Sequence, residues 1–302
     1  MGVYNRQLLR PPDEEEAIQP YRPVWRSLIV ENVVLFGVVA GAFVAFNLFG
    51  IDLPAALVPV ANGLIVVLPV GLWLIFSALP ERSVPEPRQR LLAVFIIAAL
   101  AANAVAIPFI ESVFQPERWL SLAGAINRII GYAFTVGIVQ ETIKYAVVRY
   151  ATWPDLFRTR LDSVAYCIAS AVGYSFVLNL RFFVNNPGVT PDVIAMQTFN
   201  NVAVNVAASL IVSYGMAEVR FDKPTPFLLT ITVGLGALVN GIAIPLRSGL
   251  SNAAFALTGS VPTPIFGSGF SAALLLGFGV AVAFLFNSAE RHAREAAASR
   301  EV

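Results

Sequence analysis

Eight stretches of this chain are apolar and about 20 residues long or longer, the length a helix needs to cross the hydrocarbon core of a bilayer. They run approximately over Leu28–Phe49, Leu53–Leu79, Leu91–Phe114, Asn127–Tyr150, Asp162–Val184, Ile194–Glu218, Phe227–Leu246 and Gly267–Ser288. In lipid every backbone N–H and C=O must find a partner within the protein, so such stretches fold as helices. The expected fold is therefore an all-α polytopic bundle of about eight transmembrane helices. Composition agrees: 13% of residues are charged and 57% hydrophobic, against about 25% charged in soluble domains. The bundle occupies residues 28–288. Residues 1–27 form a polar arm containing the acidic run Asp13–Glu16, and residues 289–302 form a polar tail. The arm lacks the basic-then-apolar order of a cleaved leader.

Fifteen of the 20 Lys and Arg residues fall in the arm, in the 81–90, 149–160 and 220–223 connections, and in the tail. Those segments alternate with the others. The positive-inside rule then puts both termini in the cytoplasm. A net charge of +1 gives no reason to expect a nucleic-acid partner. The single cysteine, Cys167, excludes an intramolecular disulfide. The single histidine, His292, sits among Arg and Glu in the tail, where a solvated face is expected. No H-E-x-x-H, G-x-S-x-G or Walker A pattern occurs.

Polar residues interrupt the fourth to seventh stretches. Ionisable groups inside a membrane are costly unless they are paired or face a polar interior. Glu141 and Lys144 are three residues apart in the fourth stretch and share a helix face. Gln140, four residues before Lys144, is placed to hydrogen-bond it. Asn179 lies in the fifth stretch and Asp162 opens it. Asn201, Asn205 and Ser209 repeat every four residues in the sixth, and Asn240 lies in the seventh. A single asparagine in a membrane helix most often serves interhelical hydrogen bonding. Four consecutive spans with mid-membrane polar groups point to a shared polar interior.

The order and spacing of VQETIK, LDSVAYCIASAVGYSFVLN, NVAASLIVSYGM and LVNGIA resemble the PrsW family of intramembrane metalloproteases, part of the CAAX-protease and bacteriocin-processing superfamily. The resemblance covers about Asn127–Leu246. It implies a bacterial inner (plasma) membrane protein with zinc at the meeting point of several helices. The family pattern begins E-E-x-x-K, where this chain has Gln140, Glu141 and Lys144. An Asp follows, matched by Asp162, and then G-F-A-x-x-E-N, where this chain has Leu178 before Asn179. Two later helices carry His, where this chain has Asn205, with Ser209 four residues on, and Asn240 before Gly241.

The scaffold thus resembles the family while the reactive positions depart from it. Gln140, Leu178, Asn205 and Asn240 stand where acids and imidazoles are expected. A neutral amide is a poor zinc ligand and leucine is none. The expectation is no metal and no cofactor, with Gln140, Glu141 and Lys144 as the remnant of a catalytic centre. Asp162, Leu178, Asn179, Asn201, Asn205, Ser209 and Asn240 then line a cleft for a partner. The leading functional expectation is a pseudoenzyme, a scaffold, regulator or accessory subunit that binds another integral membrane protein or a lipid. A working endopeptidase using Glu141 as general base, with Asn205 and Asn240 as oxyanion donors, is the second reading. A small transporter or channel is the third.

Overall fold

The computed structural model describes residues 24–82, 87–222, 227–251 and 265–298. Residues 1–23 of the arm, 83–86, 223–226, 252–264 and 299–302 lie outside it, as does the side chain of His292. Eight long helices make up the described fold, and no strand occurs among the described residues. Seven are long and apolar enough to cross a membrane: α1 (Val24–Leu48), α2 (Val58–Glu81), α3 (Leu91–Phe114), α5 (Arg160–Asn185), α6 (Pro191–Phe221), α7 (Leu228–Ser251) and α8 (Ile265–Ala298). The expected fourth span is also helical throughout, from Ala125–Tyr132 through Ala133–Gly137 to Ile138–Ala151. This helix, α4, is of comparable length; Gln140, Glu141 and Lys144 make it more polar than the rest. The protein is an all-α integral membrane bundle.

Side-chain contacts tie the helix ends into two groups. At one end Arg90 Nη1 donates to the Ala151 carbonyl at 3.0 Å, Tyr166 Oη to the Gln89 carbonyl at 2.8 Å, and Ser77 Oγ to Glu31 Oε1 at 2.7 Å. At the other, Asn47 Nδ2 donates to Asp192 Oδ2 at 2.8 Å, Asn62 Nδ2 to the Val189 carbonyl at 2.8 Å, and Arg181 Nη2 to Glu111 Oε2 at 2.9 Å. Successive helices consequently run in opposite directions.

The centre of the bundle is α6. It packs against α5, α7, α8, α2 and α1, and its small residues (Ala203, Ala207, Ala208, Ala217) are fully enclosed. Small side chains let helix backbones approach closely where lipid supplies no hydrophobic driving force. The main core gathers Val164, Tyr166, Ala169, Phe199, Ala203, Val206 and Leu210 from α5 and α6 with Trp73 of α2 and Val94 of α3. α1 to α4 each contain at least one π-helical turn. In α3 two such turns, Ala102–Ala106 and Ile110–Phe114, flank Pro108, which has no N–H to donate and disturbs the regular ladder. The turn in α4, Ala133–Gly137, has no proline and ends at Gly137, one turn before Glu141.

Candidate intramembrane polar centre

Three glycines determine how close α4 and α7 come. A Cβ on Gly137 would overlap the backbone of Ala237, and one on Gly241 would overlap Ala133 and the Ile129 carbonyl. A Cβ on Gly236 would stand 3.2 Å from Glu141 Cγ. Bare backbone at these positions lets the Glu141 carboxylate reach α7, where Asn240 Nδ2 donates to its Oε1 at 2.8 Å.

Lys144 Nζ lies 2.6 Å from the same Oε1, and both side chains are almost fully enclosed, at 3% and 1% exposure. The ammonium also donates to α6, at 3.0 Å to Asn205 Oδ1 and 3.1 Å to the Asn205 carbonyl. Three N–H donors thus meet three acceptors, and no donor is left over. The ring of Tyr174 on α5 lies below, with its centroid 5.9 Å from Nζ. Ser170 of α5 donates to the Lys144 carbonyl at 3.3 Å.

A ladder of amides leads away from this pair. Asn205 Nδ2 donates to the Asn201 carbonyl at 2.9 Å, and Asn201 Nδ2 to Asn179 Oδ1 at 2.8 Å. Gln197 Nε2 reaches Asn201 Oδ1 at 3.4 Å, and Ser175 Oγ the Asn201 carbonyl at 3.2 Å. Asn205 and Ser209 are buried, whereas Asn201 and Gln197 are half-buried. Access to the ladder therefore increases toward the end of the bundle that carries Gly188.

Glu141, Lys144, Asn179, Asn201, Asn205 and Asn240 are brought together as the sequence suggests. Gln140 is buried beside them, but the hydrogen bonds of Lys144 go to Glu141 and Asn205 rather than to Gln140. Leu178 is half-buried in an apolar patch with Tyr174, Val139 and Ile143. Asp162 is placed outside the cleft, at the start of α5, about 25 Å along the helix from Asn179. There it caps the helix by accepting from the Thr159 N–H at 2.9 Å, and it accepts from Arg88 Nε at 2.6 Å. The reason is positional: an Asp three residues after a Thr N-cap serves the orphan N–H groups of the first turn. Sequence reasoning missed the Arg88 network altogether. Arg88 also bonds Glu81 Oε2 at 2.8 Å and is buried, although its sequence context resembles a solvated connection. The one available signal was the T-x-x-D capping pattern at Thr159–Asp162.

Four buried polar atoms of this region have no hydrogen-bond partner among the described residues: Glu141 Oε2, Tyr174 Oη, Asn179 Nδ2 and Ser209 Oγ. The donors present do not suit a catalytic zinc, which takes three His, carboxylate or thiolate ligands and an open position. Among the described residues no three His, Cys, Asp or Glu cluster. The one carboxylate is shared by an ammonium and an amide N–H, and Asn205 turns its oxygen to the same ammonium.

Fold and site together define a polytopic membrane protein with a single ion pair, roofed by amides, at the meeting of α4, α5, α6 and α7. A family model described as PrsW family intramembrane metalloprotease matches residues 86–244, more than half of the chain, and the chain belongs to that family. The match begins earlier than Asn127 and takes in α3 together with Arg88 and Asp162, though not Glu81. Comparison with curated proteins and with solved structures gave no match.

Proposed function

We propose that this protein is a non-catalytic member of the PrsW family. It acts in the bacterial inner membrane, with both termini cytoplasmic, as a scaffold, regulator or accessory subunit. The half-buried end of its amide ladder, Gln197 and Asn201 on α6, offers hydrogen bonds to another membrane protein or a lipid. The observation that carries this reading is Lys144. Its ammonium is satisfied by Glu141 Oε1 and both oxygens of Asn205, and Asn240 donates to the same Glu141 oxygen, so the carboxylate and amides of the centre are committed to one another and offer no three-ligand set for a zinc. Leu178 contributes only apolar surface beside it.

One observation favours the second reading, an active endopeptidase. Glu141 Oε2 is buried and unpartnered, so a general base retains one free acceptor.

Metal analysis separates the two. After dialysis against a weak chelator the purified protein is expected to carry far less than one equivalent of zinc and to leave a transmembrane peptide uncleaved. The triple variant Leu178→Glu, Asn205→His, Asn240→His supplies one carboxylate and two imidazoles and is expected to retain zinc, while no single change does. Stoichiometric zinc in the unmodified protein, or cleavage abolished by Glu141→Gln, overturns the non-catalytic reading.

A further inference from the structure

A second polar site lies at the helix ends, away from the Glu141–Lys144 centre. Where α2 ends and α3 begins, the bundle encloses a cavity of about 180 Å³. Its lining is divided by chemistry. Arg82, Arg88, Arg90 and Glu81 make its charged part, and Leu74, Leu79 and Leu92 belong to its apolar part. Leu79 and Leu92 are 52% and 40% exposed, on a stretch of helix that faces lipid.

Among the described residues that line the cavity three arginines stand against one carboxylate, Glu81, so these charges do not cancel. Arg88 is committed to Glu81 and Asp162. Among the described residues the Arg90 side chain makes one hydrogen bond, to the neutral carbonyl of Ala151. Arg82 is exposed and has no carboxylate partner among the described residues. The first turn of α3 adds to the same potential. Leu91, Leu92 and Ala93 line the cavity, and no side chain caps their N–H groups, because the N-cap residue is Arg90 itself. An uncapped helix start carries a partial positive charge and donors suited to an anion. Arg90 has a left-handed backbone, φ 63°, which a non-glycine residue adopts at a cost of about 1–2 kcal/mol.

A water-facing cluster of arginines would not need the leucines, and an acyl-chain groove would not need the arginines. We propose that this cavity binds the phosphate of an anionic phospholipid, with the headgroup between Arg82, Arg90 and the start of α3 and the acyl chains along Leu74, Leu79 and Leu92. Basic pockets between helices at a membrane interface commonly hold such headgroups. The site is separate from the Glu141–Lys144 centre, and the inference does not depend on whether that centre is catalytic.

The test uses the full chain in a zwitterionic detergent. Phosphatidylglycerol, phosphatidylcholine and inorganic phosphate are compared by native mass spectrometry and by thermal shift. Phosphatidylglycerol is expected to be retained in preference to phosphatidylcholine and to raise the unfolding temperature, while inorganic phosphate has no effect. Each arginine near a membrane surface contributes about five-fold to anionic lipid binding. Arg82→Gln and Arg90→Gln are each expected to lower the preference about five-fold, and the double variant about twenty-five-fold. Arg26→Gln, exposed at the same end and outside the cavity, is expected to leave it intact. Arg82→Gln removes no internal bond, so it remains informative if Arg90→Gln is poorly folded. The proposal is overturned if the double variant keeps its preference, or if Arg26→Gln lowers it equally. Equal stabilisation by inorganic phosphate overturns the lipid assignment in favour of a free anion.

Discussion

Removing both members of the Glu141–Lys144 pair should cost much less than the sum of the two single removals, and the two single changes should differ in size. At the 2.6 Å N···O contact the charges are about 3–4 Å apart. They attract by roughly 4–5 kcal/mol at an effective dielectric of about 20. Burial of both ions opposes most of that, so the pair itself stabilises little, but a lone survivor is a buried charge without compensation. That costs about 3–5 kcal/mol. Lys144→Met leaves Glu141 with a single donor, Asn240 Nδ2, and Oε2 still unpartnered. Glu141→Gln leaves Lys144 with both Asn205 oxygens, and the glutamine oxygen can still accept from Asn240. The expected losses are about 4–5 kcal/mol for Lys144→Met and about 3 kcal/mol for Glu141→Gln. The double variant should lose no more than the larger single change, a coupling of at least about 3 kcal/mol. Unfolding in mixed micelles by graded addition of dodecyl sulfate, followed by far-ultraviolet circular dichroism, measures all four proteins. Losses that add to within about 0.5 kcal/mol would refute the pairing. A larger loss for Glu141→Gln would refute the role given to Asn205.

Gly137→Ala sets a methyl against the Ala237 backbone and is expected to destabilise by about 1–3 kcal/mol in the same assay, whereas Gly37→Ala, with nothing within 4 Å of its Cβ, should be close to neutral. For orientation, single cysteines at Asp155 and Gly188 in a Cys167→Ser background should differ toward an impermeant thiol reagent applied to whole cells. Gly188→Cys should label and Asp155→Cys should not; equal labelling contradicts the alternating arrangement with cytoplasmic termini.

The bundle was legible because bilayer thickness turns composition into span length, and α4 shows how far that extends. Its expected limits, Asn127–Tyr150, fall within the observed helix although Glu141 and Lys144 depress its hydropathy. The meeting of Glu141, Lys144, Asn205 and Asn240 was legible through the order of motifs, since each motif sits on its own helix. What periodicity on one helix cannot reveal is which partner wins across helices. Gln140 and Asn205 are equally able to accept from Lys144, and only the approach of α6 decides for Asn205. Asp162 was assigned to the cleft because it belongs to the motif order, yet its position as the third residue after a threonine cap holds it at the helix start. Arg88 was unreadable for the converse reason. Its two acid partners are seven and 74 residues away, and nothing local distinguishes it from a solvated arginine. The π-helical turn before Glu141 has no proline to announce it.

The enclosure of α6 has a consequence for biosynthesis. About 89% of its most apolar stretch is buried inside the bundle, against 22% for α1. The helix that places Asn200, Asn201, Asn205 and Ser209 in the membrane is thus one that lipid scarcely touches. On leaving the insertion machinery alone it would present those amides to acyl chains, where polar groups are unfavourable unless bonded. Two of its principal neighbours, α7 and α8, are encoded after it. A nascent chain ending soon after Phe221 has one flank of α6 uncovered, so release into the bilayer favours holding α6 at the site of synthesis until its later neighbours arrive. The chain after Phe221, α7 largely within the residues matched by the family model and α8 beyond them, thereby acts as the cover under which the polar centre is assembled.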